Sequence, residues 1–195
     1  MKKIPTLFKR IFDNHKLIGI TPDVTPGCEW VLEGKGDATI KFDGSCCAVI
    51  DGKFYKRFDA KKGKKVPDGA IPCCDPDPVT GSHPHWVLVD ENRPDDKWFV
   101  EAYKNEVAMK KAKGKTLENG TYEAVGPHFQ GNPYDYVFDM LNPHGVLCTS
   151  VERTFEGIRS WLEEHDECEG LVFWLNGEPR CKIKRKDFGF EWPVK

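Results

Sequence analysis

The chain has 195 residues, 39% hydrophobic and 12% aromatic, enough to bury a sizeable core as one domain. No apolar run approaches the roughly 20 residues that span a bilayer, so no membrane partner is expected. The 29 basic and 31 acidic residues leave a formal net charge of −2, which excludes a protein that coats nucleic acid through bulk positive charge.

The chain opens with Met1-Lys2-Lys3, but Lys9 and Arg10 interrupt the following apolar stretch before a secretory core could form. An N-terminal arm or helix is expected there. Residues 39–44 read as a strand running into a glycine. Successive side chains on a strand alternate, so Lys41 and Asp43 share one face while Ile40 and Phe42 turn to the core. Residues 45–50 and 53–58 flank Asp51-Gly52, which suits a type I′ hairpin turn with Ile50 opposite Lys53 and Cys46 opposite Arg57.

Residues 67–94 are rich in Pro, Gly and Asp and predict a long ordered loop, with a short strand at 86–89. Residues 98–113 predict a helix with Phe99, Tyr103 and Val107 on its buried face. A strand at 121–125 follows Asn119-Gly120. Thr154 can cap a second helix whose buried stripe is Phe155, Ile158, Trp161 and Leu162. A last hairpin joins 169–173 to 182–184 through Asn176-Gly177. Many strands with few helices in irregular order predict an α+β fold, mainly antiparallel, with a few flanking helices.

Eight cysteines occur with no C-x-x-C spacing, so buried, reduced thiols in a cytoplasmic protein are expected. A zinc loop built on Cys73, Cys74, His83 and His85 is the weaker alternative. Two blocks of positive charge stand out. One holds Lys53, Lys56, Arg57, Lys61, Lys62, Lys64 and Lys65; the other holds Arg180, Lys182, Lys184, Arg185 and Lys186. Each adjoins a segment with chemical potential, which makes phosphate a plausible partner. Lys41 is the candidate nucleophile, an amine that neighbouring cations such as Lys182 and Lys184 could activate. Asp43 and Glu169 are candidate ligands, direct or through water, for a hydrated Mg²⁺ or Mn²⁺.

Taken in order, Lys41-Phe42-Asp43-Gly44, Thr121-Tyr122-Glu123-Ala124-Val125-Gly126, Glu169-Gly170-Leu171-Val172-Phe173 and Lys182-Ile183-Lys184 resemble the first, third, fourth and fifth motifs of the covalent nucleotidyltransferase superfamily. That superfamily comprises ATP-dependent DNA and RNA ligases and mRNA capping enzymes. The stretches 69–84 and 184–189 look like a group of small 5′-3′ RNA ligases.

The resemblance implies a ligase adenylation domain over residues 1–195, with ATP as cofactor and RNA bearing 5′-phosphate and 3′-hydroxyl ends as partner. Lys41 would carry AMP as a phosphoramidate, Glu123 would contact the ribose, and Arg57 the nucleotide or the end being joined. Glu169 would serve the metal, Lys182 and Lys184 would hold the α-phosphate, and Ile40 would sit beside the nucleotide. Phe138 or Tyr136 would stack on adenine. With 11 residues after Lys184 (195 minus 184), no OB-fold carrying a sixth motif is expected. DNA ligase or guanylyltransferase is the enzymatic alternative, and a catalytically silent RNA-binding module the non-enzymatic one.

Overall fold

A computed structural model describes residues 2–61, 63, 65–78 and 80–194. The chain forms two compact units. A split unit combines Lys3–Phe42 with the chain from Gly145 onward, and an inserted unit comprises Asp43–His144.

The split unit begins with a hairpin, β1 (Phe8–Asp13) and β2 (Lys16–Val24), followed by β3 (Asp37–Lys41). The hairpin replaces the arm or helix expected from sequence. Its turn places Asn14 and His15 at φ 45° and 64°, a conformation that Asn and His tolerate better than most residues but do not advertise as Asn-Gly would.

The inserted unit carries β4 (Ser45–Ile50), β5 (Lys53–Ala60), β6 (Ile71–Pro72), β7 (His83–Leu88), α1 (Lys97–Ala112), β8 (Gly120–Val125) and β9 (Met140–Pro143). These strands form a six-stranded antiparallel sheet in the order β6-β7-β5-β4-β8-β9. Asp51 and Gly52 have φ of 50° and 72°, as the predicted hairpin turn requires, and Ile50 pairs with Lys53.

The α1 stripe differs from the expected one. Trp98, Phe99, Ala102 and Tyr103 pack on Phe54, Tyr122 and Leu141, whereas Val107 is exposed. Ala102 is fully buried on the sheet-facing side of the helix, a residue too small to register in a count of large apolar side chains.

The chain then returns to the split unit with β10 (Cys148–Thr149), α2 (Phe155–Glu164), β11 (Gly170–Leu175) and β12 (Glu178–Lys184). A four-stranded antiparallel sheet results, ordered β10-β3-β11-β12. Helix α2 follows the sequence reading closely. The Thr154 side chain accepts a hydrogen bond from the Gly157 amide at 2.9 Å, and Ile158 and Leu162 are fully buried against Leu171, Phe173 and Ile183. Asn176 and Gly177 turn with φ of 54° and 74°. The fold is α+β, mostly antiparallel, with two α-helices among the described residues.

All eight cysteines are free thiols, four of them buried. Among the described residues no helix is long and apolar enough to cross a membrane.

Candidate functional site

In the split unit the pairing register sets a row of side chains. Gly170 on β11 pairs with Lys41 on one side and Lys184 on the other, and Val172 pairs with Lys182. Directly paired residues share a face, so Lys41, Lys182 and Lys184 line one face of the sheet while Leu171 and Ile183 fill the core behind it.

Gly170 is required here by close approach, not by its backbone angles. A Cβ at this position would strike the Ile183 carbonyl and sit 2.8 Å from the Lys184 Cα.

Glu169, 4% exposed, stands at the head of β11. Its amide donates to the Lys41 carbonyl at 3.2 Å, and its own carbonyl accepts from the Arg185 amide at 3.0 Å. Its carboxylate lies between the two lysines, with Oε2 accepting from Lys41 Nζ and Oε1 from Lys184 Nζ. Burial alone would raise the Glu169 carboxyl, but the Lys41 and Lys184 charges outweigh it and hold the group below its ordinary value.

Lys182 is paired through its backbone with the N-terminal segment: the Leu7 amide donates to its carbonyl at 2.7 Å, and its amide donates to the Pro5 carbonyl at 3.0 Å. Burial, then the charges of Lys184, Lys41 and Arg10, lower its pKa to about 8. Arg10 pairs with the fully buried Asp187 at 2.7 Å. Among the described residues, four cations (Lys41, Lys182, Lys184, Arg10) and two carboxylates (Glu169, Asp187) gather here, a basic cluster that suits an anion.

Other members of the basic blocks have structural work. Arg185 is buried and donates to the carbonyls of Leu162, His165 and Glu191. Lys56 pairs with the buried Asp96, and Arg57 with Asp59 at 2.8 Å. Lys61 is exposed, Lys65 pairs loosely with Asp68 at 3.7 Å, and Lys62 and Lys64 lie outside the described residues. Val79 of the 69–84 stretch lies outside them too.

The sequence reading put Lys41 and Asp43 on one strand face, but β3 ends at Lys41 and Asp43 belongs to the inserted unit. Ile40 turns its side chain toward the split unit's core, so its side chain is on the opposite face from Lys41. The Asp43 amide donates to the Tyr134 hydroxyl at 2.5 Å. Gly44 is fixed by close approach to β8, where an added Cβ would collide with the Ala124 carbonyl and lie 2.9 Å from Glu123 Cγ.

On the inserted unit, Cys46 pairs with Glu123, and Glu123 with Asn142. Glu123 accepts from the Gly44 amide at 3.1 Å through Oε1, and its Oε2 lies 2.8 Å from His144 Nε2. Burial, reinforced by the Glu123 charge and opposed by Arg57, pushes the Cys46 thiol up to about 12. Neither Cys46 nor His144 was singled out beside Glu123 from sequence. His144 lies 21 residues from Glu123 with no motif linking them, and only the β8–β9 register brings the two together.

Phe138 is 45% exposed, and Tyr136 stands beside Tyr134 with ring centroids 5.6 Å apart. The Cys73, Cys74, His83 and His85 side chains do not converge as metal ligands among the described residues. They sit on and beside β7, where the His83 and His85 rings contact each other at 4.2 Å.

No protein-family model matches the chain, and no curated protein matches it.

Proposed function

We propose that this protein is an ATP-dependent RNA ligase that joins 5′-phosphate and 3′-hydroxyl ends through a lysine-bound AMP. The observation that carries the reading is the in-register row of Lys41, Gly170 and Lys184, with Glu169 binding both amines. An anion-seeking face whose amines share the single carboxylate of Glu169 is what nucleotidyl transfer to an amine calls for.

The basic cluster favours the triphosphate of ATP. Once phosphate oxygens draw Lys184 and Lys182, Glu169 is left with one amine fewer to neutralise. Lys41 gives its ammonium proton to solvent and attacks the α-phosphorus; a P–N bond forms as the bond to the bridging β-phosphate oxygen breaks, pyrophosphate leaves with that electron pair, and a second nitrogen-bound proton is lost to solvent to leave the phosphoramidate.

The 5′-phosphate of RNA then attacks the same phosphorus, freeing the lysine and forming a 5′-5′ pyrophosphate-linked adenylate. A 3′-hydroxyl displaces AMP to form the phosphodiester. Because both Glu169 oxygens are engaged by lysines, the resting cluster fits phosphate, and a Glu169 oxygen becomes available to a cation only as phosphate draws Lys184 away. Mg²⁺ supplied with ATP would neutralise phosphate charge, and Glu169 is the carboxylate of this cluster that would hold it. The roles of Arg57, Glu123 and Phe138 or Tyr136 toward nucleotide rest on the resemblance alone, and that of Asp43 toward the metal on the sequence pattern.

Incubation with ATP and Mg²⁺ followed by intact-mass measurement tests the reading. Addition of one adenylyl group, absent in Lys41→Ala, is expected. Addition of guanylyl from GTP in preference would favour a capping-type enzyme, and no adduct with either nucleotide would favour the silent RNA-binding module. Joining matched 5′-phosphorylated RNA and DNA strands separates RNA ligase from DNA ligase.

A further inference from the structure

On the inserted unit, three side chains of different chemistry converge without forming a complete hydrogen-bonded set. A thiol from Cys46, a carboxylate oxygen from Glu123 and a ring nitrogen from His144 all lie within 4.8 Å of one another. Strand register explains the convergence. Cys46 and Glu123 are direct partners across β4 and β8, and His144 stands two residues beyond Asn142, the β9 partner of Glu123. Side chains two apart share a face, so the three point to the same side of the sheet.

Two polar atoms at this spot have no hydrogen-bond partner among the described residues. One ring nitrogen of His144 is engaged by Glu123, while Nδ1 is buried with nothing to bond. Asn142 Nδ2 is likewise buried and unpartnered. A buried imidazole nitrogen normally finds a partner, because leaving it bare costs roughly 1–3 kcal/mol.

We infer that Cys46, Glu123 and His144 form a binding site for a borderline-soft divalent cation, with Zn²⁺ the natural occupant. Sulfur, nitrogen and a single carboxylate oxygen select Zn²⁺ over Mg²⁺, which demands oxygen ligands. In a tetrahedral zinc site, neighbouring ligand atoms stand about 3.3–3.8 Å apart, so the 2.8 Å Glu123–His144 contact would widen on binding while the thiol, within 4.8 Å of both, would draw closer. The thiol binds as thiolate and its proton passes to solvent. Thiolate and carboxylate together balance the charge of the ion, and the neighbouring Arg57 charge favours the thiolate form of Cys46. Three protein ligands leave one position for water or an incoming group.

Anaerobic titration of the reduced protein with Co²⁺, with no nucleotide present, tests the site apart from any ligase activity. One equivalent should bind with a thiolate-to-cobalt charge-transfer band and visible d–d bands, and added Zn²⁺ should displace it. Cys46→Ser should abolish the charge-transfer band, and His144→Gln should weaken binding by roughly tenfold or more, as loss of groups around a metal does elsewhere. Cys148→Ser and Cys73→Ser should change neither. Circular dichroism without metal checks that each variant is folded, and if Cys46→Ser is not, His144→Gln carries the test. A band that persists in Cys46→Ser, affinity unchanged in His144→Gln, or no band in the parent protein would overturn the site.

Discussion

Lys41 and Lys184 meet across Gly170, each donating to a different oxygen of Glu169. Each lysine comes from a strand flanking β11, so the carboxylate ties three strands together at the same point where it gathers the amines. The candidate site and the edge of the core are thus one piece of structure.

Loss of the Lys41 amine should abolish adenylylation. Lys41→Ala keeps the strand but removes the only atom that can carry AMP in this reading, so no adduct should form over many hours. Lys41→Arg should be equally inactive, because a guanidinium stays charged. Circular dichroism should show both folded. An adduct in either variant at the parent rate would move the nucleophile elsewhere.

Glu169→Gln bears on stability as well as activity. As a residue read from sequence, Glu169 is a metal ligand whose amide variant should leave the fold intact. In the structure it is 4% exposed and the counter-ion of two lysines. Breaking a buried pair by removing one partner strands the remaining charges, typically at a cost of about 3–5 kcal/mol; because the lysines are partly exposed, about 2 kcal/mol is expected here. Urea unfolding should show the loss, and Lys184→Met combined with Glu169→Gln should recover part of it. An unchanged urea midpoint for Glu169→Gln would return the residue to a purely functional role.

Gly170→Ala tests whether the glycine is there for space. The added Cβ has to displace the Ile183 carbonyl, which is backbone and cannot swing aside. Overpacking of this kind costs about 1–3 kcal/mol. Because the displaced strand carries Lys182 and Lys184, adduct formation should fall even in the folded fraction. Gly177→Ala, with open space around it but a φ of 74°, should lose stability through backbone strain and leave adduct formation per folded molecule unchanged.

How much of this was legible beforehand follows from where the information lies. The turns Asp51-Gly52 and Asn176-Gly177, the Thr154 cap and the Lys-x-Lys strand are local, so residue type and spacing within a few positions specify them. The β1–β2 hairpin was missed because Asn14-His15 adopts positive φ without a glycine to signal it. Burial of Lys182 could not be read locally either, since it depends on residues 5–7 pairing along β12. The separation of Asp43 from Lys41 reflects a strand that stops one residue after Ile40, and nothing in Lys-Phe-Asp-Gly marks that stop.

The final prediction concerns the charge on Lys182. Its pKa is about 8 in the folded protein against 10.5 for the ordinary side chain, because burial and three neighbouring cations disfavour the ammonium. Between these values the unfolded chain binds more protons than the folded one, so this residue's contribution to stability rises with pH across the window from about 8 to 10.5. Below pH 8 both states are protonated and the folded protein bears the full penalty. One pKa unit is about 1.4 kcal/mol, and after allowance for partial exposure the penalty is about 2 kcal/mol. Lys182→Met should therefore be more stable than the parent by about that amount at pH 7, with the advantage shrinking as pH passes 8 and vanishing near 10.5. The same substitution should weaken ATP-dependent adduct formation strongly, since a cation has been removed from the phosphate-facing side. Urea unfolding of both proteins at half-unit steps from pH 7 to 10 gives the difference curve directly. A difference that does not vary with pH would show that Lys182 keeps its ordinary proton affinity in the fold, and a destabilised Lys182→Met would show that its ammonium is held by partners stronger than the cations around it.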